Sequence, residues 1–178
     1  MDLFTKIRNN PVWKAIAKLQ EIVLVVCGAL SCLIFVVEVL MRYVLKMDFL
    51  GYDEIILLFA IWLYFIGGSF AMYRRAHISA EMMGLFLKGR SLEFGRMIVT
   101  WLTFVITVIL AYWGIDFFQY AMSRPATTTV WRMPKLWAQA ALTVGYIMMA
   151  LYGLFNAAED TAKFISSKKA KSNKEVSE

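Results

Sequence analysis

Glu38 is an acid set inside a long apolar run, Ile22–Met41. A carboxyl group at lipid depth is the kind of group that carries protons or ions across a membrane, and intramembrane acids are functional candidates by default. Its position favours a quieter role. The run is centred near residues 31 and 32, so Glu38 lies about 10 Å from the middle at 1.5 Å per residue, close to one interface. Arg42 follows four residues later on the same helical face, with the acid N-terminal, the favourable order for a helical ion pair. A structural Glu38–Arg42 pair, open to sharing with a partner subunit, outweighs a proton site. Asp53-Glu54 stand just before the next apolar run. Acids at a helix N-terminus satisfy free backbone donors and the helix dipole. Capping accounts for one of them and leaves the other for a basic partner surface.

Other chemistries lack their parts. His77 is the lone histidine, which excludes bis-histidine haem within this chain and makes a zinc site improbable. Cys27 and Cys32 are the two cysteines. Five residues apart on one helix, they point about 140° apart, so they cannot pair with each other and pack as small residues. There is no phosphate loop, G-x-S-x-G or H-E-x-x-H pattern. The chain reads as non-enzymatic and without a cofactor of its own.

The elements that must position these residues are membrane spans. Ile55–Tyr73, Met97–Ile115 and Leu136–Ala158 contain no formal charge, and Ile22–Met41 contains only Glu38. A helix needs about 20 apolar residues to cross roughly 30 Å of hydrocarbon. The chain has 178 residues, is 60% hydrophobic and has mean hydropathy +0.60, against about 45–50% apolar in ordinary globular proteins. The expected fold is an all-α integral membrane protein with four transmembrane helices, about 22–41, 55–73, 97–115 and 136–158, gathered in one compact bundle. Asn10-Pro11 resembles a helix start. Val12, Trp13, Ile16 and Leu19 then alternate with Lys14, Lys18 and Glu21, which predicts an amphipathic interfacial helix over residues 1–21. Ile78, Met82, Leu85 and Phe86 predict a second one mid-chain. Small residues Gly67-Gly68 beside Trp62 suit a helix–helix contact. Residues 116–135 hold Pro125, Pro134 and a threonine run, predicting an irregular loop. Residues 159–178 predict a largely disordered basic tail.

The net charge of +6 does not point to nucleic acid. Fourteen of the nineteen Lys and Arg residues fall in the N-terminal segment, the middle loop and the tail. Basic residues collect on the cytoplasmic side, so both termini are expected there, with attraction to membrane lipid as a corollary.

The middle of the chain is recognisable. Glu38-Val-Leu-Met-Arg42-Tyr43, then Asp53-Glu54, then Trp62-Leu-Tyr-Phe-Ile-Gly67-Gly68, then Arg74-Arg75-Ala-His77-Ile78 resembles the small membrane subunit of tripartite ATP-independent periplasmic (TRAP) transporters, the DctQ-like family. The resemblance spans about residues 22–83. It implies a bacterial inner-membrane subunit of a three-part system for organic-acid uptake, of dicarboxylate or sialic-acid-like cargo. A periplasmic binding protein captures the acid, a large membrane subunit carries the substrate and sodium sites, and the small subunit widens the stationary scaffold. By family position, Glu38, Arg42, Tyr43, Asp53, Glu54, Trp62, Gly67, Gly68 and His77 are expected interface or scaffold residues. The exposed Arg124, Trp131 and Arg132 offer cation and aromatic groups for docking the binding protein.

Two rivals stand beside this reading. One is a self-sufficient four-span proton-coupled exporter that uses Glu38, which needs its acid reachable from both sides in turn. The other is an accessory or sensory membrane protein, for which no soluble signalling domain is visible.

Overall fold

The computed structural model describes residues 10–75 and 90–175, with side chains described over 10–75 and 91–166. Among these the chain forms four helices: α1 (Pro11–Tyr43), α2 (Tyr52–Arg74), α3 (Arg90–Ser123) and α4 (Leu136–Glu175). Each contains one expected span, and all four are long and apolar enough to cross a membrane. The mid-chain amphipathic segment around Ile78–Phe86 and His77 lie outside the described residues.

Asn10 caps α1 as its sequence suggests: the side-chain oxygen accepts from the Val12 N–H at 3.2 Å, and Pro11 takes the first helical position. The interfacial segment and the first span are one continuous helix of 33 residues, about 50 Å long. Trp13 does not lie out along a lipid surface. It packs edge-on against Tyr152 with ring centroids 5.1 Å apart, and against Phe155 at 5.5 Å. The fourth helix also exceeds its expected limits. It was expected to end at Ala158, with disorder from residue 159, yet it runs on to Glu175. Glu159 and Asp160 continue its inward face, for a reason that lies in their partner, Arg75.

The helices form an open row, not the compact bundle expected. α1 packs on α2, α2 on α4, and α4 on α3; α1 also touches α4 at the terminus-bearing end through Trp13 and Gln20, while no comparable contact joins α1 to α3 among the described residues. In water such a row would close to hide its apolar faces. In lipid the tails are as apolar as leucine, so that drive is missing and packing alone decides which helices meet. Large apolar side chains accordingly stay exposed on all four helices, from Val25 and Phe35 to Tyr64, Leu102, Tyr112 and Leu151.

Small residues set the contacts. A Cβ on Gly145 of α4 would stand 2.6 Å from the Phe65 Cβ and 3.0 Å from the Phe65 carbonyl oxygen of α2, so the backbones meet there only because Gly145 has none. Gly114 of α3 lies under Thr143 of α4, whose hydroxyl donates to the Gly114 carbonyl at 2.9 Å.

Candidate functional site

Among the described residues the charged side chains gather at the two ends of the row, and a buried hydrogen-bonded group of polar side chains lies between. At the end opposite the termini, Glu38 is buried, 7% exposed, and paired with Arg42 one turn later. The expected ion pair is therefore present. Arg42 keeps half of its side chain in the open, at the last turn of α1, where a cation also complements the helix dipole. Tyr43 is 75% exposed.

Glu54 departs from its expected use. The cap of α2 is Gly51, in the left-handed region at φ +83°, and no side chain caps it. Glu54 turns instead to the α3–α4 connection. Its carboxylate accepts from the Val130 N–H at 2.8 Å and the Trp131 N–H at 3.0 Å. Asp53 beside it is exposed in the first turn. The α3–α4 connection is irregular, as its prolines and threonines predict, and is pinned into a hairpin-like turn by a few cross-chain bonds. Thr127 and Pro134 form an antiparallel bridge, Thr128 N–H donates to the Met133 carbonyl at 2.9 Å and Lys135 N–H to the Ala126 carbonyl at 2.9 Å. Pro134 lacks an N–H, but the cross-strand donors are its neighbourhood's Thr128 and Lys135, and the Thr128 hydroxyl accepts from Met133 N–H at 3.0 Å. Phe49 meets the Trp131 ring edge-on at 6.4 Å, and a Cβ on Gly51 would strike the Trp131 indole. Position 51 thus needs glycine twice, for its φ and for its neighbour. Arg124, lying over the Tyr120 ring at 5.6 Å, and Arg132 remain exposed.

Midway along α2, Trp62 is half-buried. Gly67 faces Leu24 of α1 and Gly68 faces Met149 of α4, so both glycines serve contacts within this chain. Nearer the termini, a buried chain of hydrogen bonds crosses three helices. Gln20 Nε2 donates to Ser69 Oγ at 3.0 Å, Ser69 donates to the Ile66 carbonyl at 2.8 Å, and the Tyr152 hydroxyl donates to Gln20 Oε1 at 3.2 Å. All three side chains are buried.

Arg75 forms the hub of the terminus-bearing end. It stands in the left-handed region after α2, at φ +54°. Its guanidinium donates to Asp160 at 2.8 Å, to Glu159 at 2.9 Å and to the Asn156 side-chain oxygen at 3.2 Å. Asn156 in turn donates to the Met72 carbonyl at 3.0 Å, which also accepts from the Arg75 N–H at 3.2 Å. Asp160 also accepts from Thr100 of α3 at 2.9 Å, and Glu159 accepts from Lys163 at 2.8 Å. One planar fork thereby joins α2 and α4, and Asp160 carries the link to α3. Sequence reasoning counted Arg75 only as a loop cation and missed its partners. The available signal was Asn156 within a span, followed at helical spacing by Glu159 and Asp160.

What this arrangement can do is bounded by what it holds. Glu38 is engaged by Arg42, and no group of three or more metal-binding side chains occurs among the described residues. Helices this apolar, in an open row with charge at both ends, define a multi-pass membrane protein whose broad faces are built for lipid or for another membrane subunit. The family model for tripartite ATP-independent periplasmic transporters, DctQ component, matches residues 31–163. The chain belongs to that family, and is a small permease component of a TRAP transporter. A search of curated proteins found no match.

Proposed function

We propose that this chain is the stationary scaffold to which the large membrane subunit binds during sodium-coupled uptake of an organic acid, delivered by a periplasmic binding protein. The observation that carries the reading is the open row. Its helices bury only a small share of their apolar windows against one another, which leaves two broad faces for a partner. The polar groups at depth support it too: Ser31, Thr103 and Thr107 each donate back to a carbonyl of their own helix and line no path.

The cytoplasmic placement of both termini in a bacterial inner membrane belongs to the same proposal, on the charge asymmetry of the sequence. So do the interface roles of Glu38, Arg42, Tyr43, Asp53, Trp62 and His77, and the docking role of Arg124, Trp131 and Arg132. Sodium and substrate are handled by the large subunit.

The test is reconstitution. Sodium-driven uptake in vesicles is expected to require this chain, the large subunit and the binding protein together. Uptake by the other two at full rate, or solute flux through this chain alone, contradicts the scaffold.

A further inference from the structure

At the terminus-bearing end, an open cleft of about 460 Å³ lies between α1 and α2, lined by Lys14, Lys18, Glu21, Phe70, Tyr73 and Arg74. Three cations face one acid. Lys18 is shared with Glu21 at 3.0 Å, and Arg74 lies over the Phe70 ring at 5.0 Å. Neither Lys14 nor Arg74 has an acidic partner among the described residues. Among the described residues the lining of the cleft therefore carries net positive charge.

Its surroundings select the ligand. Lys14, Lys18, Glu21 and Val25 fall on one stripe of α1 by their spacing of four, seven and eleven residues. Val25 and the neighbouring Ile22 are exposed, so an apolar track leads out of the cationic cleft toward the hydrocarbon. A cationic pocket opening onto an apolar track matches an amphiphile with an anionic head, and its level, at the polar end of two spans, is where headgroups lie. We propose that the cleft holds the phosphate of an anionic glycerophospholipid between Lys14, Lys18 and Arg74, with an acyl chain along Ile22 and Val25. Lys14, Lys18 and Glu21 lie outside the matched residues 31–163, so this half of the site is not part of the family match.

The test uses the purified full-length chain in detergent, with phosphatidylglycerol and phosphatidylcholine supplied in equal amounts and bound lipid read by native mass spectrometry. Each Lys or Arg near anionic lipid contributes a factor of about five. The wild type is expected to retain phosphatidylglycerol preferentially. Lys14→Gln combined with Arg74→Gln is expected to lower that retention by roughly twentyfold, while Lys168→Gln with Lys171→Gln in the tail leaves it unchanged. Glu21→Gln removes the competing acid and is expected to raise retention, a gain that a misfolded variant cannot mimic. Equal retention by wild type and the cleft variant overturns the site, as does an equal loss in the tail control. Equal binding of phosphatidylcholine overturns the requirement for an anionic head. Competition by glycerol 3-phosphate as strong as that by phosphatidylglycerol overturns the lipid in favour of a soluble phosphate.

Discussion

The Glu54 carboxylate on α2 accepts the backbone N–H groups of both Val130 and Trp131, 76 and 77 residues later in the chain. One side chain at the start of α2 thus fastens the tip of the hairpin between α3 and α4. The α1–α2 turn joins in through Phe49 and Gly51, which both meet Trp131. The two helix connections at this end are one unit, not two independent loops.

The latch predicts an order among Glu54 substitutions. Glu54→Gln keeps an acceptor oxygen and is expected to hold one of the two N–H groups. Glu54→Ala leaves both without a protein acceptor and frees the tip. In proteoliposomes with this end outward, trypsin is expected to cut at Arg132 severalfold faster in Glu54→Ala than in the wild type, with Glu54→Gln between them. Equal cleavage rates for all three would show that the hairpin holds itself. The same reasoning recasts any loss of large-subunit binding on charge reversal at Glu54: it would act through the shape of the hairpin as well as through charge.

Arg75 makes the sharper prediction for stability. Removing one partner of a part-buried ion cluster costs about 3 kcal/mol because the remaining charges stay desolvated, and here Asp160 would keep only the Thr100 hydroxyl and Glu159 only Lys163. Arg75→Ala is expected to lower the unfolding temperature in detergent by roughly 6–12 °C at the sensitivity typical of a chain this size. Arg75→Lys keeps the charge but loses the planar fork, so it is expected to recover only part of that loss. Restoring Arg75→Ala with Glu159→Gln and Asp160→Asn together is the check on mechanism. If the triple variant is no more stable than Arg75→Ala, stranded charge is not the cause.

The contrast between Glu38 and Arg75 shows what the sequence makes legible. Glu38 and Arg42 are four residues apart on one helix, so spacing alone announces the pair. Arg75 and its acids are more than eighty residues apart, and their pairing depends on which helices are neighbours. Hydropathy marks where each span lies but carries nothing about neighbour order, because in lipid every helix face is apolar whether it packs on protein or not. The open row was hidden for that reason, as was the link from Gln20 to Ser69 and Tyr152. The length of α4 was hidden for a related one: Glu159, Asp160 and the lysines after them have the composition of a solvated tail, and only their partner reveals an inward face.

Glu38 separates the scaffold from the proton-coupled exporter. On the scaffold proposal, Glu38, one half of an ion pair near the end of α1, has no step to perform in transport. Glu38→Gln in the reconstituted three-part system is expected to leave the pH profile of uptake unchanged. Arg42→Gln is expected to be more harmful to thermal stability than Glu38→Gln, because it leaves a buried carboxylate without its cation. The double variant is expected to be more stable than Arg42→Gln alone, the sign of direct coupling. Loss of pH dependence in Glu38→Gln would return this residue to proton transfer.

Glycine substitutions test the packing of the row by rank. At Gly145 an added methyl group meets Phe65 at its Cβ and its backbone oxygen, atoms that move only if α2 and α4 separate. At Gly68 it meets the flexible end of Met149, which has other rotamers to adopt. At Gly67 it finds Leu24 at 3.5 Å, an ordinary contact distance. Overpacking costs about 1–3 kcal/mol where the neighbours cannot yield. Gly145→Ala is therefore expected to destabilise the chain most, Gly68→Ala less, and Gly67→Ala little, as read by thermal unfolding in detergent. The same variants discriminate internal packing from subunit contact. Gly67→Ala and Gly68→Ala, whose neighbours here belong to this chain, are expected to retain the large subunit in proportion to their own stability. A variant that stays as stable as the wild type yet loses the large subunit would move that glycine to the outer face of the row.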